Sequence, residues 1–389
     1  MWDSYDESMT LRLLDEANYD AEMESKVLPA LDACMTEGWM DPATVDWNGD
    51  ALPKLDEPGR LHYCCYDAAK FDALREDGAS GVFRGAIVIS HGFTEFARKY
   101  SEMAWYFLLA GYSVCILEHR GHGHSVHDVS NPSLVWIDDW RRYVADFAAF
   151  ADTVGREYAC GEPLNLYCHS MGGGIGAAVL ERYPSLFDKA VLSAPMIAPV
   201  VGMPTWIARI ATGALCGLGF GKARVFGHTD FSPELDLDEH KGASEARVRW
   251  FHKQRVDDVA CQTNAATFEW AHQAMALSRA VLKPDMCGAI ETPTLLFQAG
   301  RDIWVLNGPQ DDFVERVREG GGSIEKIRYG KSLHAEHGGR TVCEQDRRFL
   351  QRPGSGIVGA ETMGISGVSE GCIQGDAPRF FIDKYGDDG

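Results

Sequence analysis

The sequence predicts an α/β fold, a mostly parallel central sheet flanked by helices on both faces. Three observations carry the prediction. From residue 61 onward, apolar runs rich in β-branched residues alternate with stretches of helical spacing. The runs are almost continuously apolar, as strands covered on both faces must be. The alternation breaks between about 195 and 290, where helical pieces dominate, so a helical insertion is expected between two sheet strands.

Taken in order, residues 8–37 read as one or two amphipathic helices, with Leu11, Leu13 and Leu14 and then Val27, Leu28 and Leu31 on their apolar faces. An acidic connector marked by Pro and Gly runs on to Gly59, so residues 1–60 are expected to form an acidic helical N-terminal extension. The first strand is FRGAIVIS (83–90), followed by a helix over 100–109. The second is YSVCILE (112–118), followed by a long helix over 137–158. PLNLYC (163–168) is the third, with a helix over 171–182. Strands are expected again at 188–194, 292–299 and 323–329. The core is thus expected in two parts, 61–194 and 291–389, with the insertion 195–290 between them. Within the second part, the glycine-rich stretch 352–375 reads as a flexible surface loop and 380–385 as a closing helix.

Composition narrows the function. With 45% hydrophobic and 24% charged residues the chain is of the soluble globular class. A formal charge of -20 argues against nucleic acid as a partner and allows at most weak peripheral contact with anionic membranes. The N-terminus lacks the basic start and apolar run of a signal peptide. The 11 cysteines form no C-x-x-C pair, and Cys115, Cys168 and Cys216 sit in apolar stretches. Free thiols in a reducing cytoplasm are therefore expected. The stretch 196–220 carries only Arg209 as a charge, but Pro199, Pro204 and several glycines argue against a transmembrane helix.

The chemistry centres on Leu164-Asn165-Leu166-Tyr167-Cys168-His169-Ser170-Met171-Gly172-Gly173-Gly174. A strand, a sharp turn with serine at its apex and a glycine-rich helix start make a nucleophile elbow. The residues two before and two after the serine, Cys168 and Gly172, must be small, because strand and helix approach closely there. A strict G-x-S-x-G match occurs instead at Gly367–Gly371, around Ser369. It has no strand before it and no helix after it, and is set aside.

A serine nucleophile needs a base and an orienting acid, in the order Ser, Asp or Glu, His. Asp302 follows the fifth strand at the carboxyl edge of the sheet, where such sheets bind ligands. His334 follows the sixth strand in a loop over the same edge, with His337 as the reserve base. Singly, Asp302 could cap the helix from Gly308 and His334 could be a surface histidine; together, in this order, they read as triad members. The first strand runs into Ser90-His91-Gly92-Phe93, so the Phe93 N–H is one expected oxyanion donor, with Gly92 allowing the turn. The Met171 N–H at the helix start is the other. His119, His122, His124 and His127 are the most metal-like cluster, but the glycines among them mark a tight turn, and loop packing without metal is expected.

Four segments, His91-Gly92-Phe93, Glu118-His119-Arg120-Gly121-His122-Gly123-His124-Ser125, His169-Ser170-Met171-Gly172-Gly173 and Ala194-Pro195-Met196, resemble the lysophospholipase and monoacylglycerol-lipase branch of the α/β hydrolases. That branch is often grouped under the serine aminopeptidase heading. The resemblance, closest to bacterial inner-membrane-associated lysophospholipases, includes Met203–Arg209 and covers roughly residues 60–350. Departures are Glu118 for the branch's usual Asp, Cys168 for its small residue, and Ala335 after His334, where the branch tends to have Glu. The resemblance implies an α/β-hydrolase fold and an ester hydrolase acting on a small lipid without a cofactor. The 195–290 insertion would then be a lid whose Met196, Val200, Val201, Met203, Trp206, Ile207 and Ile210 line an acyl pocket, or else a lid packed on its own core. A peptidase, amidase or acyltransferase with the same triad, and a binding protein on the same scaffold, are the alternatives. Nothing in the sequence indicates an oligomeric state.

Overall fold

The computed structural model describes residues 13–71, 82–237, 244–300, 302–328 and 350. Eight strands form one sheet: β1 (Met35–Met40), β2 (Leu61–Tyr66), β3 (Ala86–Ser90), β4 (Ser113–Leu117), β6 (Leu164–His169), β7 (Lys189–Ser193), β9 (Thr294–Gln298) and β10 (Ile324–Arg328). Their order across the sheet is β1-β2-β4-β3-β6-β7-β9-β10. β1 and β2 pair antiparallel with each other and β2 antiparallel with β4; all other neighbours are parallel. Two short strands, β5 (Leu134–Val135) and β8 (Ala265–Ala266), pair separately.

Successive strand side chains point to opposite faces, and here each face meets its own apolar layer. Val88, Cys115, Leu117, Leu166, Cys168 and Leu192 pack in one core; Ile87, Ile89, Val114, Ile116, Tyr167 and Val191 pack in the other. This is why the strands read as unbroken apolar runs. The first layer is completed by the helices α3 (Arg141–Phe150), α4 (Met171–Arg182), α7 (Phe268–Val281) and α8 (Asn307–Glu319), and the second by α1 (Leu28–Cys34) and α2 (Ser101–Leu109).

Two expectations need correction. The N-terminal helix does not run to residue 37: it ends at Cys34, and Met35–Met40 becomes an edge strand. β2, which connects this strand to the sheet, also lies outside the strands expected from sequence. The N-terminal segment is tied to the rest through Glu102. Its carboxylate accepts the hydroxyls of Tyr19 (3.0 Å) and Tyr106 (2.8 Å), and pairs with Arg247 (2.6 Å) of α6, Glu245–Asp257.

Between β7 and β9 lie α5 (Thr205–Leu215), α6 and α7. α7 packs into the core through Leu277 and Val281. α5 is turned the other way: small Ala208 and Thr212 are its buried residues, Thr212 meeting His272 of α7 at 3.1 Å, while Trp206, Ile207 and Ile210 face outward. No helix among the described residues is long and apolar enough to cross a membrane.

Candidate active site

β6 ends at His169, and α4 begins at Met171. Ser170 between them has φ 50° and ψ -117°, a conformation that is strained for a residue with a side chain. The strain is held by hydrogen bonds on both sides. The Ser170 N–H donates to Ser193 O (3.1 Å), and the Ser170 carbonyl accepts the N–H groups of Met196 (2.7 Å) and Gly173 (2.8 Å). Ser170 is half-buried at the head of α4, where unpaired N–H groups favour negative charge.

The glycines of α4 let it lie this close. A Cβ on Gly172 would stand 2.1 Å from Ser90 O, and one on Gly176 would stand 2.3 Å from Cys168 Sγ. Cys168 is fully buried against α4, its thiol raised well above its usual pKa by burial. Burial of the thiol against α4 makes Cys168 a packing residue.

Gly92 and Phe93 follow β3, directly beside β6 in the sheet. The Gly92–Glu95 turn is tight, with Thr94 at φ 62° and the Glu95 side chain folded back onto the Gly92 N–H (2.6 Å). Phe93 is half-buried and packs on Trp270 of α7, the ring centroids 4.1 Å apart.

Asp302 stands beyond the end of β9 and does not cap α8. Its Oδ1 accepts the N–H groups of Trp304 (2.9 Å) and Val305 (3.0 Å), a local turn. That turn is stitched to the segment after β7: Val200 N donates to Trp304 O (2.8 Å) and Leu306 N to Ala198 O (2.9 Å). Burial raises the Asp302 carboxyl above its usual value, with the two N–H donors and nearby His169 opposing. His334 and His337 lie outside the described residues, as do Ser369, the 352–375 loop and 380–385.

The expected lid residues divide. Met196 is buried beside the elbow, while Val200, Met203, Trp206, Ile207 and Ile210 are exposed. The histidine cluster also divides. The His119 ring meets Ser90 Oγ (2.8 Å), His122 Nδ1 meets Arg120 O (3.2 Å), and His127 Nε2 meets Gly123 O (2.9 Å), so they do not converge. Among the described residues the sets close enough to hold a metal ion are instead Glu37, His62 and Cys64, and His62, Glu118 and His124. Sequence reading passed over them because His62 is 56 residues from Glu118.

Sequence reading also passed over Glu95. This buried carboxylate touches Gly92, Tyr100, Lys99 and His169, the residue before the candidate nucleophile. Burial opposes its ionisation, but Lys99 and His169 prevail and hold it well below the usual carboxylate range. The spacing of Glu95 and Lys99, four apart just after a strand, was the available signal.

A mostly parallel sheet with a serine elbow at its carboxyl edge defines the α/β-hydrolase class. A soluble variant of monoglyceride lipase from Saccharomyces cerevisiae shares the fold, with a TM-score of 0.56 and 18% identity over 80% of this chain and 96% of that one. The pattern that defines the serine aminopeptidase family matches residues 81–335, and the chain belongs to that family. It is 30% identical to lysophospholipase L2 of Escherichia coli over 252 residues, 61% of this chain and 70% of that protein. It is 34% identical to a monoacylglycerol lipase of Mycolicibacterium smegmatis over 128 residues, 33% of this chain and 44% of that protein.

Proposed function

We propose that the chain hydrolyses the carboxylic ester of a single-chain lipid, a lysophospholipid or monoacylglycerol, through an acyl-enzyme on Ser170. The observation that carries the reading is Ser170 itself, held at positive φ between a strand and a helix N-terminus, beside Gly92–Phe93. In this reading His334, oriented by Asp302, takes the Ser170 proton as Oγ attacks the ester carbonyl. The N–H groups of Phe93 and Met171 stabilise the oxyanion. Collapse expels the head-group alkoxide, which takes its proton from His334. Water, deprotonated by His334, then attacks the acyl-enzyme; the bond to Ser170 Oγ breaks, the oxygen takes its proton back from His334, and the fatty acid leaves.

The segment 195–290 acts as a lid. Its α5 presents Trp206 and Ile210 at 64% and 62% exposure, and small residues to the protein. That is the reverse of an ordinary surface helix, and it supports an apolar substrate. No Asp or Glu occurs between 195 and 224 to bind a peptide's amino terminus.

The test is kcat/KM along an ester series from two to sixteen acyl carbons, beside aminoacyl-naphthylamides; these lengths bracket roughly the range over which burial at ~0.8 kcal/mol per CH₂ can accumulate. Each added CH₂ is expected to raise kcat/KM about threefold to fourfold until the pocket is full. Preference for acetyl esters, or faster turnover of the amides, overturns the lipid reading.

A further inference from the structure

The peptide between Gly92 and Phe93 is held from both sides. The Gly92 N–H, which belongs to the preceding His91–Gly92 peptide, donates to Glu95 Oε2 at 2.6 Å and so holds the Gly92 backbone ahead of this peptide; the Tyr100 hydroxyl donates to the same oxygen at 2.5 Å. The Gly92 carbonyl accepts from His91 Nδ1 at 2.8 Å and from the Glu95 N–H at 3.3 Å. His91 can do this in one tautomer only: Nδ1–H donates, and Nε2 accepts the His119 N–H at 2.9 Å. Because C=O and N–H of a peptide point in opposite directions, pinning the carbonyl fixes the direction of the Phe93 N–H. The other Glu95 oxygen reaches Lys99 and, at 3.0 Å, His169 Nδ1.

We propose that Glu95 is a positioning residue for the oxyanion pocket. It fixes the Gly92–Phe93 peptide on one wall and, through His169, the elbow on the other, so that the Phe93 and Met171 N–H groups keep their separation. The inference rests on the reading of Ser170 as nucleophile. It goes further in giving the buried charge a task in the chemistry. A carboxylate 3% exposed is costly to bury, and this one uses its contacts to join two loops 74 residues apart.

The test uses Glu95→Gln together with Lys99→Met, which removes both charges of the buried pair, and separately His169→Phe, which cuts the link to the elbow and leaves the pair intact. Each is assayed on a carboxylic ester and on the thionoester with sulfur in place of the carbonyl oxygen. Sulfur accepts hydrogen bonds weakly, so its turnover depends little on the pocket. For the double variant we expect kcat on the oxoester to fall about 10²-fold, the loss of one oxyanion donor, with KM within about twofold and thionoester turnover within about threefold. His169→Phe should show the same selectivity with a smaller loss. Oxoester kcat unchanged in a folded variant, or equal losses on both esters, overturns the proposal. Should the double variant fail to fold, His169→Phe decides by the same criterion. Full activity of Ser170→Ala would instead overturn the reading of the nucleophile.

Discussion

Ser170 keeps its backbone angles because its neighbours leave room, and Cys168 is where that room is set. Its Sγ occupies the space that a Cβ on Gly176 would need. Cys168→Ala is expected to keep activity within about threefold, whereas Cys168→Leu overpacks the contact at a cost of about 1–3 kcal/mol. The leucine variant should also displace α4, and a shift of ~1 Å at the reacting atom costs about 10² in kcat. Steady-state kinetics and thermal melts of the two variants check this; full activity in the leucine variant would contradict it. At this scale the sequence is readable where chemistry is local. The elbow residues 168–174 are contiguous, and the small Cys168 and the glycines from Gly172 announce the close approach. Glu95 was not readable, because its partner His169 is brought to it only by the pairing of β3 with β6.

The parallel strands were legible, whereas the two antiparallel strands were not: β2 is buried along almost its whole length and was still passed over. β3, β4, β6, β7, β9 and β10 lie within their expected runs or one residue beyond. β1 was missed because an antiparallel edge strand half-open to solvent has no apolar run, so residues 35–37 read as the end of the helix and 38–40 as connector. The loop after β4 carries an interaction of the same hidden kind. His124 lies between Glu118 (3.5 Å) and Asp258 (2.9 Å), which joins the core to the segment just after α6, while His62 packs edge-on at 5.1 Å. The hydrogen bond with Glu118, then both carboxylates' charge, outweigh burial and raise the His124 pKa to about 9. A histidine raised in the folded state above its ordinary value of about 6.5 stabilises fully below that value. The contribution is lost as pH climbs through the folded value. The stability gap between the unmodified chain and His124→Gln should therefore be widest below pH 6.5 and gone above the folded pKa of about 9. Denaturant melts across this window check it, and a gap that does not change with pH would contradict it.

Over the whole molecule, the sheet brings the ends of β3, β6, β7 and β9 to one edge, and with them Gly92, Phe93, Ser170, Met196 and Asp302. The helical segment between β7 and β9 is joined to the core by Arg247–Glu102 and by His124–Asp258. An apolar outer face on a chain of charge -20 suits dispersed single-chain lipids better than packed anionic bilayers. All of this depends on one covalent event at one serine. The direct measurement is to treat the full chain with a long-chain alkyl fluorophosphonate, digest it and locate the adduct by mass spectrometry. One equivalent on Ser170, with none in Ser170→Ala, is expected. An adduct on another residue such as Ser369, or ester turnover that continues once Ser170 is fully labelled, would show that Ser170 is not the nucleophile.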